Sequence, residues 1–286
     1  MEAEAAGGRV DIFVARRYPQ FARSALAGLF KTGLVNINGN QAKAGDKLRK
    51  GDSVTVDESL ILAEPEAIDL PILYEDDDVV VINKPAGVLT HSKGALNSEA
   101  TVASFIKPKL TDKKMADNRA GIVHRLDRGT SGVIIVARNT EALASLQKQF
   151  SLRKVKKQYL TIVEGWPHPT AAKIDAPIER NPWRLQTFRV GSGGKTAQTT
   201  YETLRRFTKQ SKKYAELMLK PLTGRTHQLR VHLAYIGHPV AGDGVYGHAH
   251  KGMLLHATQL EITLPSGHRR VFKAPLPSTF RDFKKP

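Results

Sequence analysis

One segment, Gly121-Ile-Val-His-Arg-Leu-Asp-Arg-Gly-Thr-Ser-Gly132, concentrates groups able to do chemistry. It carries a carboxylate (Asp127), two guanidiniums (Arg125 and Arg128), an imidazole (His124) and two hydroxyls (Thr130 and Ser131). It lies between a polar stretch read as flexible, TDKKMADNRA, and the apolar run GVIIVARN, read as a buried strand. A loop beside a buried strand is a place where a sheet displays reactive groups. Asp127 then has two readings. It is a nucleophile or base, or it is a turn aspartate capping backbone amides while the arginines are solvated. A hydrolytic triad of His124, Asp127 and Ser131 is disfavoured, because three neighbours in one short loop rarely reach that geometry.

Two further motifs carry weaker chemistry. His248-Ala-His250 has two metal-binding side chains, but without other ligands it reads as a solvated turn. Gly191-Ser-Gly-Gly-Lys195 is rich enough in glycine to cradle an anion. With no strand before it and no helix after it, a hairpin turn is the better reading. The chain has no cysteine, which excludes disulfides, thiolate metal sites and cysteine nucleophiles. No metal and no cofactor are expected.

Charge narrows the function class. The 286 residues hold 44 Lys and Arg against 27 Asp and Glu, a net charge of +17. A polyanionic partner follows naturally, since each neutralised phosphate releases counterions and adds affinity. A surface kept basic only for solubility is the alternative, and the distribution argues against it. Eight acids and no Lys or Arg lie between Glu58 and Asp78, while bases cluster at Lys148–Lys157 and Arg205–Lys220. The N-terminus MEAEAAGGRV lacks signal-peptide features, and no apolar run approaches a bilayer span. A cytoplasmic protein that does not enter a membrane is expected, with monomer as the default.

The elements that must position these groups fall into two units. Residues 1–8 read as a disordered tail. Residues 9–57 read as two short helices and a small sheet. Ser24 is a candidate N-cap there, Gly33 a residue past a helix C-terminus, and Asn38-Gly39 a hairpin turn. Residues 58–71, acidic and with two prolines, read as a linker. From residue 72 to 286, strands such as DDVVVINKPAG, KQYLTIVEG and YAELMLKPL alternate with a few helices, among them THQLRVHLAYIG. The expectation is α+β: a large mixed, mainly antiparallel sheet forming a catalytic domain, with a small N-terminal α/β domain.

GIVHRLDRGTSG closely resembles the signature loop of the RluA-type pseudouridine synthases. The likeness continues in YEDDDVVVINKPAGVLTH, KKQYLTIVEG, KPLTGRTHQLRVHLAYIGHPVAGDGVYG and LLHATQLEITLPSGHRRVFKAPLP, in the family's order. Residues 9–57 are similar to the alpha-L RNA-binding domain of the ribosomal-protein S-four type. The resemblance implies that uridine is isomerised to pseudouridine without a cofactor, and that Asp127 is the essential carboxylate. It implies that Arg225 pairs with Asp127, and that Tyr159 stacks on the flipped uracil. Arg125 would fill the gap left by that base, and Leu254 or Leu255 would wall the pocket. Flipping itself is a physical necessity, since the glycosidic bond is inaccessible inside a stacked helix. His124 and Arg128, with Arg16, Arg17, Arg23 and Lys31 of the N-terminal unit, are the expected RNA contacts. Gly129 and Gly244 depart from the family pattern, which often has an acid at the first position and proline at the second. Large-subunit ribosomal RNA is the preferred substrate, and transfer RNA the alternative. A non-catalytic RNA-binding or ribosome-assembly factor is the competing class. In that class Asp127 would be incidental.

Overall fold

The computed structural model describes residues 7–92, 98–115 and 119–285. The chain opens with α1 (Val10–Arg17), α2 (Arg23–Lys31), β1 (Val35–Ile37), β2 (Asn40–Gln41) and β3 (Val54–Val56). α3 (Ser59–Leu62), β4 (Ile72–Glu75), β5 (Val79–Lys84), α4 (Val102–Ile106), β6 (Ser131–Ala137) and α5 (Thr140–Ser151) follow. Next come β7 (Lys156–Glu164), β8 (Ala171–Asp175), β9 (Ile178–Arg180), β10 (Phe188–Val190), β11 (Gln198–Lys209) and β12 (Lys212–Pro221). α6 (Gln228–Tyr235), β13 (Leu255–Thr263), β14 (Arg269–Lys273) and α7 (Ser278–Lys284) complete it.

The first elements bury a core of their own. Leu26, Leu29 and Phe30 share one face of α2 and meet Val10, Val14, Val35 and Val54. α2 begins one residue before the expected cap. Ala22, not Ser24, holds the extended N-cap geometry, and its carbonyl takes the amides of Ala25 and Leu26. At the other end Gly33 has φ +74°, and the Leu34 amide reaches back to the Leu29 carbonyl. That is the Schellman arrangement. Asn38 and Gly39, at φ +50° and +80°, make the tight turn between β1 and β2. Residues 1–6 of the tail lie outside the described residues, while Gly7 and Gly8 are bonded to Leu48. Residues 116–118 of the polar stretch also lie outside them.

The rest of the chain forms a nine-stranded sheet ordered β4-β5-β6-β13-β7-β12-β11-β8, with β14 paired to β13. Every pairing is antiparallel except β6 with β13. This is the α+β arrangement the sequence implies. β6 is buried at all seven positions, which is why Ser131–Ala137 reads as an unbroken small and apolar run. Gly132 is required where β6 approaches β13. A Cβ there would lie 2.2 Å from the Ala257 carbonyl oxygen, at φ +114°. β9 and β10 form a separate two-stranded hairpin in a Pro- and Gly-rich stretch. Among the described residues no helix is long and apolar enough to cross a membrane.

Candidate active site

The loop before β6 is fastened on both sides of Asp127. On one side the Thr90 hydroxyl donates to the Leu126 carbonyl (2.9 Å) and accepts from the Leu126 amide (3.2 Å). On the other, the Arg128 carbonyl accepts from the Gly87 amide (2.8 Å) and from Lys84 Nζ (3.3 Å). Lys84 is wholly buried, and its Nζ also donates to the carbonyls of Pro85 (2.9 Å) and Val88 (2.8 Å). One ammonium with three donors thus ties the β5 turn to the Asp127 loop. Lys84→Met keeps the volume but takes the lysine donor from the Pro85 and Val88 carbonyls and leaves the Arg128 carbonyl with the Gly87 amide alone. A loss of about 2–4 kcal/mol is expected on those grounds, measurable by urea unfolding. Unchanged stability would show that the lysine does not hold this loop.

Asp127 faces a cavity of about 560 Å³. Among the described residues lining it, Asp127 is the only carboxylate, and six are Arg or Lys: Arg119, Arg125, Arg153, Lys157, Arg225 and Arg230. The cation on Asp127 is Arg230, whose Nη1 donates to Oδ2 at 3.1 Å. The same guanidinium holds Asp243 in a fork, 2.7 Å from Nε to Oδ2 and 2.8 Å from Nη2 to Oδ1. Asp243 is almost wholly buried, and burial alone would raise its pKa. The Arg230 bonds, with the Val245 and Tyr246 amides, outweigh this and hold it below the usual carboxylate range. A guanidinium shared between two acids is fixed in place. It gives Asp127 an ionic partner without rotamer freedom.

This corrects the expectation for Arg225. That side chain lines the cavity, but its Nε donates to the Thr196 carbonyl (3.1 Å) and its amide to Gln228 Oε1 (3.0 Å). The five-residue shift follows from α6. His227 breaks the backbone at φ +55°, α6 starts at Gln228, and its first turn aims Arg230 at Asp127. α6 is buried nearly all round and satisfies its polar groups internally. The Gln228 amide makes four bonds, to Thr223, Gln198, Thr199 and the Arg225 amide. His232 bonds Thr199 Oγ1 and the Ala176 carbonyl, each at 2.9 Å.

Tyr159 on β7 lines the cavity between its β12 and β13 partners, Leu219 and Ala257. Burial first, then the Asp127 charge, pushes its hydroxyl well above the usual phenol value. The tyrosine is therefore neutral and acts as a ring and a proton-bearing hydroxyl. Of the two leucines, Leu255 lines the cavity. Leu254 packs on the far side with Phe280 and Ile162, as strand alternation requires.

The loop's other candidates separate. Arg125 is exposed on the cavity wall. Arg128 is held by Glu99 (Nη2–Oε2 2.8 Å) and the Gly87 carbonyl. His124 is committed to the fold, which differs from the expected RNA contact. Its Nε2 accepts the Ile135 amide at 3.1 Å, and its ring stacks on Phe150. Burial pushes its pKa down to about 3, with Lys157 adding to the effect. Ser131 Oγ bonds His256 Nδ1 (2.8 Å), so no triad forms with His124 and Asp127. His248 pairs with Glu164 and His250 lies edge-on to Phe283, so those two imidazoles are turned to different partners. Arg16, Arg17, Arg23 and Lys31 are exposed on α1 and α2, away from the cavity lining. Sequence reasoning missed Arg230, Asp243, His227 and Tyr246. The available signal was an arginine embedded among Leu229, Val231 and Leu233, since a guanidinium in an apolar helix demands a buried acid.

A family model for RNA pseudouridylate synthase matches residues 78–235. A protein of Xanthomonas campestris pv. campestris named ribosomal large subunit pseudouridine synthase D is 39% identical, covering 96% of this chain and 87% of that relative. An Aquifex aeolicus protein described as an uncharacterized RNA pseudouridine synthase is 40% identical, over 84% of this chain and 77% of its own length. Among solved structures, human RNA pseudouridylate synthase domain containing 1 superposes with a TM-score of 0.61 at 31% identity. That match covers 75% of this chain and 86% of the human one.

Proposed function

The chain belongs to the RNA pseudouridylate synthase family, whose members isomerise uridine to pseudouridine in RNA, and from that premise we propose that it modifies large-subunit ribosomal RNA with Asp127 as the reacting carboxylate. The observation that carries this reading is one carboxylate among six cations, held by a guanidinium that a second acid locks. The reaction breaks the N1–C1′ bond and forms C5–C1′. C5 loses a proton and N1 gains one, so neither oxidant nor energy source is consumed. Whether a carboxylate adds to the sugar, adds to the ring or removes a ribose proton, it must arrive ionised and aimed. The Arg230 contact supplies the aim. The Tyr159 ring offers the extruded uracil a stacking surface, and Leu255 closes the wall. The cavity cations suit the phosphates around a flipped nucleotide.

The substrate class is supported by the surface outside the cavity. On the β9–β10 hairpin Trp183 is 78% exposed, with the Arg189 guanidinium 4.6 Å from its ring. An exposed indole beside a cation suits unpaired bases in loops, where sequence-specific RNA recognition concentrates. The name of the Xanthomonas relative favours large-subunit ribosomal RNA over transfer RNA. Tritium release from RNA labelled at uracil C5 decides between them. Release from large-subunit ribosomal RNA and none from transfer RNA is the expected result, and the reverse would move the substrate to transfer RNA.

Residues 9–57 act in this reading as an RNA-docking domain, joined through residues 58–71 to a catalytic domain of residues 72–286. Its own core and the exposed Arg16, Arg17, Arg23 and Lys31 support that division. Deleting residues 1–57 is expected to raise KM for the RNA about 10–100-fold through lost effective concentration, with kcat on saturating RNA unchanged. Steady-state kinetics check this. An unchanged kcat/KM contradicts the docking role.

A further inference from the structure

His227 occupies a costly position. It stands at φ +55°, ψ +17° at the start of α6, in the left-handed region that non-glycine residues avoid unless their surroundings impose it. No side-chain cap compensates for this at the helix start. Its ring fits edge-on between Phe188 and Tyr246, with centroids 5.6 and 5.7 Å away. Nδ1 lies 2.9 Å from the Tyr246 hydroxyl oxygen, and Nε2 lies 4.0 Å from Asp127 Oδ2.

The hydrogen bonds suit one tautomer. The Tyr246 oxygen accepts the Phe188 amide at 2.9 Å, which engages a lone pair and leaves its own proton for His227 Nδ1. An Nδ1 that accepts puts the ring proton on Nε2, the nitrogen facing Asp127. Burial, opposed by the Asp127 charge, keeps this imidazole below its ordinary pKa and so neutral. At 4.0 Å the Nε2–H and the carboxylate are not yet bonded. Catalytic hydrogen bonds are often long before substrate binds and tighten in the complex. Arg230 and His227 both approach Oδ2, while the Arg230 guanidinium also lies 5.0 Å from the Tyr246 ring. Tyr246 therefore touches both groups that orient the carboxylate.

We propose that His227 is a positioning residue for the reaction: a neutral Nε2–H donor, its tautomer set by Tyr246, that joins Arg230 in holding Oδ2 of Asp127 so that Oδ1 meets the substrate. The inference rests on the reading of Asp127 as the reacting carboxylate. It also gives the strained backbone a use, since that conformation sets the ring between Tyr246 and Asp127 at the head of α6.

Two substitutions separate this role from a structural one. In His227→Gln the amide nitrogen reaches about as far as Nε2, but glutamine has no liking for the left-handed region. In His227→Asn the left-handed region is well tolerated and the amide falls short. Activity and stability should therefore rank in opposite orders. The Gln protein is expected to keep kcat within about 5-fold of wild type, and the Asn protein to lose about 30–100-fold, the scale of outer-shell orienting groups. The melting temperature of the Asn protein should equal or exceed that of wild type, and that of the Gln protein should be lower. Tyr246→Phe should lower kcat several-fold with His227 present, and less than about 2-fold in the His227→Gln background, where no tautomer remains to be set. Equal kcat for the Asn and Gln proteins, activity that follows stability, or an additive Tyr246→Phe effect would overturn the proposal. Asp127→Asn, assayed alongside, keeps the two claims apart. If it turns over, the reading of Asp127 falls; if it is inert while His227→Asn matches wild type, only the role of His227 falls.

Discussion

Arg230→Met is expected to lower turnover about 10²–10³-fold and to destabilise the protein by about 3–5 kcal/mol. Methionine matches much of the volume, so packing is not the main loss. What disappears is the cation between Asp127 and Asp243, of which Asp243 is only 1% exposed. Removing one partner of a buried pair leaves the other uncompensated, and here two acids are left facing each other. Acidification should repair part of the damage. In the wild type Asp243 is held below its unfolded value of about 3.9. Its stabilising contribution is thus complete above that pH and fades as pH falls through the folded value. In the variant only the Val245 and Tyr246 amides oppose the upward push of burial on Asp243, so proton uptake should favour the folded state. The stability deficit should therefore be largest at neutral pH and shrink towards about pH 4. Urea unfolding at pH 7 and pH 4.5, with single-turnover kinetics at pH 7, measures all three. Arg230→Lys, which keeps the charge and loses the fork, should fall between. A variant as stable as wild type at neutral pH would mean that the pair does not support this site.

Asp127→Asn separates chemistry from binding. Turnover is expected to fall by about 10⁴-fold or more, because the reacting group itself is gone. RNA affinity should change by less than about 3-fold, and in the direction of tighter binding. The substitution removes the only acid among the described residues lining a cavity otherwise charged by Arg and Lys. Stability should fall by no more than about 1–2 kcal/mol, since Arg230 keeps its fork on Asp243. Filter binding, tritium release and urea unfolding on one preparation give the three numbers. Retained turnover would make Asp127 incidental. Lost affinity equal to lost turnover would make it a binding residue.

The sequence made some of this legible for identifiable reasons. Asp127 stands out because its loop packs charged groups against an apolar strand, and because a family signature runs through it. The α+β class is readable in strands of period two interrupted by few helices. The choice between Arg225 and Arg230 is not readable in this way. Both lie in GRTHQLR, and only the left-handed turn at His227 decides which one the helix carries towards Asp127. The Arg230–Asp243 fork joins a helix to a loop thirteen residues away, a pairing with no periodic trace. The role of His124 is equally hidden, although its loop makes it an expected RNA contact. The Ile135 amide that claims its Nε2 belongs to a neighbouring strand and cannot be foreseen from spacing. Leu254 and Leu255 differ only by strand register, which alternation settles once the pairing is known. The short strands β8 to β10, three to five residues each, have too few positions to show a period.

The most direct measurement of the central claim is the nucleoside composition of large-subunit ribosomal RNA after incubation with the purified protein and no other component, digestion to nucleosides and chromatography, with Asp127→Asn alongside. Pseudouridine formed at the expense of uridine by the wild type, and none formed by the variant, is the expected result. Pseudouridine from the variant at the wild-type rate, or uridine left intact by both proteins in every RNA offered, would contradict it.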